Sequence, residues 1–75
     1  MNKADRARLR GILEKMETLK EEIDEIRSTE EEKLDNMPES LRDSTKGDEM
    51  QEGIDVLESA YNSMDEACDS LNEVV

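Results

Sequence analysis

A chain of 75 residues makes one small domain, at a size where a single hydrophobic core is marginal. A hydrophobic content of 33%, with Tyr61 the one aromatic residue, leaves too little bulk for a deep monomeric core, and 43% charged residues match a long helix or coiled coil. The net charge of −12, from 22 acids and 10 bases, speaks against direct binding to nucleic acid or an anionic membrane and points to basic protein partners.

Cys68 is the single cysteine, so no disulfide forms within the chain and a reducing compartment is expected. The N-terminal run MNKADRARLRGIL contains no long apolar stretch. Neither a signal peptide nor a membrane span is expected from it, and the protein reads as cytoplasmic. Low hydrophobicity with high net charge is also the composition of disordered chains. The spacing of the apolar residues decides between the two.

Leu9, Ile12, Met16, Leu19, Ile23 and Ile26 follow one another at alternating steps of three and four, a stripe that predicts a helix over residues 3–34. Leu9, Met16 and Ile23 take position a of a heptad, Ile12, Leu19 and Ile26 take d, and Leu13 widens the stripe at e. Pro38 ends this helix, because the residue before a proline avoids the helical region. In the linker, residues 35–45, Asn36 as N-cap and Glu39 three residues on resemble a capping box and predict one helical turn over 38–43. Met37 and Leu41 are expected to fold back and plug the open end of the molecule.

Ser44 or Thr45 caps a second predicted helix over 46–74, with Asp48 and Glu49 favoured in its first turn by the helix dipole. Its stripe runs Met50, Ile54, Leu57, Tyr61, Met64, Cys68, Leu71 and Val75, again at steps of four and three. Gly53, Ala60, Ala67 and Val74 line one edge of it, and small residues there predict a close approach to another helix. The elements predict an all-α fold, an antiparallel two-helix hairpin with coiled-coil heptads, as one domain over residues 1–75. Leu19 and Tyr61 are expected to point inward. Stripes this wide stay partly wet in a lone hairpin, so two copies are expected to pair as a homodimer, a four-helix bundle.

Charge is spread unevenly. Residues 1–27 hold seven bases and seven acids, residues 28–75 three bases and fifteen acids, and from Gly47 onward there are nine acids and no base. Asp48–Glu52, Asp65–Asp69 and Asp69–Glu73 are like-charge pairs one turn apart, each costing about 0.2–0.5 kcal/mol. The first helix opposes its dipole, with Lys3, Arg6, Arg8 and Arg10 at its start and Glu30, Glu31 and Glu32 at its end. An antiparallel hairpin accounts for part of this, since it brings Arg6 and Arg10 toward Asp65, Asp69 and Glu73, with which they are expected to pair. It leaves the acids at the loop end unexplained.

Chemistry has little to stand on. The chain has no histidine, no glycine-rich phosphate loop and no nucleophile beside a base, so it reads as non-catalytic. Neither Gly47 nor Gly53 places acids at the first, third and fifth positions of a calcium loop, so no metal or cofactor is expected. Cys68 reads as a small buried hydrophobe, and Met16, Met50 and Met64 as core filler. The candidate interaction surface is therefore the acidic one: Glu30, Glu31, Asp35, Glu39, Asp43, Asp48, Glu49, Glu52 and Asp55. The acids from Asp48 to Glu73 spread over about 39 Å at ~1.5 Å per residue, one per ~4.3 Å against ~1.7 Å in duplex DNA. Two such helices on one surface reach ~2.2 Å, so mimicry of a duplex needs a dimer that aligns both acidic faces.

The run Glu30-Glu31-Glu32, Asp35-Asn36-Met37-Pro38-Glu39, Ser44, Gly47, Ile54-Asp55 and Leu57-Glu58 resembles small uncharacterised acidic helical-hairpin proteins of bacteriophages and prophages of Gram-positive bacteria. The similarity covers roughly residues 20–75, and no activity or binding residue comes with it. It implies a setting in the host bacterial cytoplasm, where such accessory proteins regulate or antagonise host machinery. The expected function is an acidic protein-binding module that blocks a basic host surface. The alternative is a structural coiled-coil scaffold whose charge serves solubility. Given the like-charge pairs, the melting temperature is expected to rise with added salt and on mild acidification to about pH 5; a melt indifferent to both makes the repulsion trivial.

Overall fold

The computed structural model describes all 75 residues, and its regular elements are all helices. Helix α1 spans Lys3–Asp35, α2 is a single turn at Glu39–Arg42, and α3 spans Thr45–Asn72. α1 and α3 lie side by side as a hairpin 58 Å long and only 14 by 12 Å across. Asn2 starts α1: its side-chain oxygen accepts the Asp5 backbone N–H at 2.8 Å, satisfying one of the free donors of the first turn.

The far end of α1 differs from the capping-box expectation. Asn36 is the C-cap of α1, its N–H donating to the Glu32 carbonyl at 3.0 Å, and Pro38 stands at the start of α2 with no side-chain cap. With φ −55° and ψ 145°, Pro38 is itself the N-cap of α2, so Asn36 has no capping part there. A residue not singled out above stitches the turn. Arg42 donates to the carbonyls of Asp35 at 2.8 Å and Met37 at 3.3 Å, placing a cation on the acceptors that α1 leaves open. Leu41 is 47% exposed and plugs nothing, whereas Met37 is half-buried.

Ser44 is the N-cap of α3, but its hydroxyl turns back to the Leu41 carbonyl. Gly47 makes the tight connection possible. It is buried, and a Cβ at this position would collide with the Arg42 carbonyl, whereas Gly11 and Gly53 face open space.

Only five residues of 75 are buried, Leu34, Ile54 and Cys68 being the apolar ones. The long side chains of α1 that are at least partly shielded from solvent include Leu9, Leu13, Met16, Lys20, Ile23, Arg27, Glu30 and Leu34. The expected a and d pairing is therefore rotated. Leu13, Lys20, Arg27 and Leu34 take the inner place assigned to Ile12, Leu19 and Ile26, which are 42%, 51% and 55% exposed. The stems of Lys20 and Arg27 explain the swap: each buries its methylenes and keeps its charge on a carboxylate. In α3 the stripe lies as read, with Ile54 and Cys68 buried and Met50, Leu57, Tyr61, Met64 and Leu71 half-buried. On the small edge, Gly53 and Ala67 are exposed and make no close approach within the hairpin, while Ala60 is half-buried.

Gly47→Ala is expected to lose about 2 kcal/mol, the scale of backbone-displacing overpacking, and to lower the thermal midpoint by on the order of 10 °C. Circular dichroism melts check this, and an unchanged midpoint refutes the close contact.

Candidate acidic interaction surface

The middle of the seam is polar. Lys20 is 7% exposed, and its Nζ lies 2.8 Å from Asp65 Oδ1, 3.0 Å from Glu17 Oε2 and 5.4 Å from the centre of the Tyr61 ring. A buried ammonium needs such company, since leaving it unpaired in a low-dielectric setting is costly. The hydrogen bond to Asp65, followed by that to Glu17, holds the Lys20 pKa well above the usual lysine range. Because the folded value is raised, the stabilisation is complete throughout the neutral range and fades only as alkali passes the raised value.

Cys68 lies beside this cluster, and burial pushes its thiol pKa up, with Glu17 contributing. Such a thiol is a poor nucleophile and packs as an apolar group. Arg27 repeats the pattern two turns nearer the loop, with Nε 3.0 Å from Asp24 and Nη1 2.7 Å from Glu31. The hydrogen bond to Asp24 is the main reason its pKa is raised.

These contacts dispose of one expectation. Asp65 is taken by Lys20, and neither Arg6 nor Arg10 forms an ion pair with Asp65, Asp69 or Glu73. The register explains why. With Lys20 opposite Asp65, the last turn of α3 reaches only to the level of Leu13, and residues 3–8 of α1 lie past it, all exposed. Lys20 was missed because a lone lysine amid an apolar stripe reads as a solvated face. The available signal was its position, seven residues after Leu13, matched by an acid seven residues after Glu58 on the facing helix.

The nine candidate acids fall into two groups. Glu30 is held by Lys33 at 3.0 Å and Glu31 by Arg27 at 2.7 Å. Asp35, Glu39, Asp43, Asp48, Glu49, Glu52 and Asp55 are all exposed and form no ion pair. Asp55 accepts one hydrogen bond, from Gln51 at 3.0 Å. No group of three potential ligands converges at metal-binding distance, and no helix is long and apolar enough to cross a membrane. The chemical content of the surface is thus negative charge, crowded at the loop end and left without internal counter-ions. No protein-family model, curated protein or solved structure matches this chain.

Lys20→Met keeps the buried stem and removes the charge, and replacing a buried ion with a well-packed apolar group is often neutral or favourable. Its melting temperature is expected to equal or exceed that of the parent, while Asp65→Ala, which strips the ammonium of its nearest partner, melts lower. The reverse order in parallel thermal melts refutes the reading of this cluster.

Proposed function

We propose that the protein is a non-catalytic, acidic protein-binding module, a phage accessory protein that occupies a basic, nucleic-acid-binding surface of a host protein in the bacterial cytoplasm. The observation that carries this reading is the group of seven exposed, unpaired carboxylates at the loop end. Solubility alone asks for dispersed charge, not for like charges gathered where they repel one another. The same crowding raises the local negative potential, which speeds encounter with a basic partner and weakens with salt. The working form in this reading is a homodimer whose coiled-coil heptads pack as a four-helix bundle, supported by how little apolar surface one hairpin covers.

The second reading, a coiled-coil scaffold with charge for solubility, rests on the same exposed apolar residues. The variant Asp48→Asn, Glu49→Gln, Glu52→Gln, Asp55→Asn separates the two. Basic DNA-binding proteins eluted from heparin serve as targets in a competition assay against labelled duplex. The parent is expected to displace the duplex and the variant to be at least ~10-fold weaker, since four partly screened ion pairs at about 0.3–1 kcal/mol each amount to one or more decades. Equal performance of the two leaves the scaffold reading standing.

A further inference from the structure

From the outward edges of α1 and α3 we infer that two hairpins pair face to face and antiparallel, α1 against α1 about Leu19 and α3 against α3 about Ala67, so that the start of each α1 lies beside the last turns of the other's α1. The inference deepens the homodimer proposed above and rests on it, adding the face and the direction.

The face comes first. On α1, Ile12, Leu19 and Ile26 repeat every seven residues and are all exposed. On α3, every charge from Gly53 to Val74 lies off the strip Gly53, Val56, Ala60, Ser63, Ala67, Ser70, which is therefore uncharged in a helix otherwise rich in acids. The Lys20–Asp65 bridge occupies one side of the seam, and the 100° turn per residue places Ile12, Leu19 and Ile26 on the other side, together with that strip. One long side of the hairpin is thus apolar or small on both helices.

The occupant follows from charge. Leu19 is the midpoint of the α1 row, so an antiparallel copy sets Ile12 against the partner's Ile26 and Leu19 against its own copy. At that register Asp5 meets Lys33, Lys15 meets Glu22, and Arg8 lies within a turn of Glu32. None of Asp5, Arg8, Lys15, Glu22 or Glu32 has an ion pair within the hairpin, and Lys15 and Glu22 border a shallow groove around Leu19. A parallel face-to-face pair would instead set α1 of each copy against α3 of the other and bring the two acidic loop ends together, which is unfavourable. On α3, Ala67 stands at the height of Leu19, with Ala60 and Val74 equally spaced on either side. Small residues at the twofold axis let the two acidic helices approach through their one uncharged strip.

The test uses single cysteines in a Cys68→Ala background, oxidised in dilute solution. Leu19→Cys is expected to cross-link to itself. Ile12→Cys and Ile26→Cys are expected to cross-link at least ~10-fold faster in an equal mixture than either does alone, because only antiparallel pairing brings their Cα atoms within about 7 Å. Self-linking of Ile12→Cys and of Ile26→Cys, or no linking by any of the three, overturns the proposal. Leu19→Arg is expected to sediment as a monomer and to keep its helical circular dichroism, since Leu19 supports little within one hairpin. A parent chain that sediments as a monomer at about ten micromolar, well above ordinary working affinities, also overturns it. The quadruple acid variant is expected to remain dimeric. A dimer without partner binding therefore counts against the function alone, and a monomer that still binds counts against the pairing alone.

Discussion

Lys20 sits between Glu17 of its own helix and Asp65 of the facing one, and this three-cornered contact fixes two degrees of freedom of the hairpin at once. It sets the height of α3 along α1, and it sets the rotation of α1 about its axis. Rotation decides which residues face outward: with Lys20 turned in, Leu19 must turn out. Height decides how far α1 extends beyond α3. A purely apolar seam of repeating spacing would permit slips of a heptad, and a directional ionic contact is the kind of feature that forbids them. The aromatic ring of Tyr61 and the raised thiol of Cys68 close the same pocket from the α3 side.

The sequence made the helical class and the hairpin legible because they depend on period, and period survives in composition as poor as this one. The α3 stripe was legible residue by residue, since it contains no charged intruder from Met50 to Leu71. The α1 stripe was not, because two overlapping rows, one through Leu19 and one through Leu13 and Leu34, are both apolar enough to be chosen. What selected the second row was a pair of long cationic stems at Lys20 and Arg27, which hydropathy counts as solvent-facing. The turn was misread for a similar reason. Asn36 has the chemistry of an N-cap, but Arg42 and the bare backbone of Gly47 organise the loop, and neither announces itself in a linear pattern. Of the candidate acids, identity was readable and pairing was not: Glu30 and Glu31 lie within reach of Lys33 and Arg27 only once the helix is built.

The two faces of the molecule pose complementary physical problems. One side is short of apolar cover, and the other is oversupplied with like charge. Burial of five residues is a small core for a chain of 75, and the cost in conformational entropy of holding two long helices in place grows with every residue ordered. Repulsion at the loop end adds to that cost. Both problems are eased by the same event, the arrival of other surfaces, one apolar and one cationic. The protein is accordingly read as a component built to be completed by contact.

Past the level of Leu13 the first helix continues for more than two turns beyond the end of α3, and four of its residues there, Lys3, Arg6, Arg8 and Arg10, are sites for trypsin. A helical stub shorter than about a dozen residues holds itself together poorly in water. Its order therefore depends on whether something lies alongside. Limited digestion at the amino terminus turns this overhang into a built-in gauge: rapid clipping marks a bare hairpin, and resistance marks an assembled one.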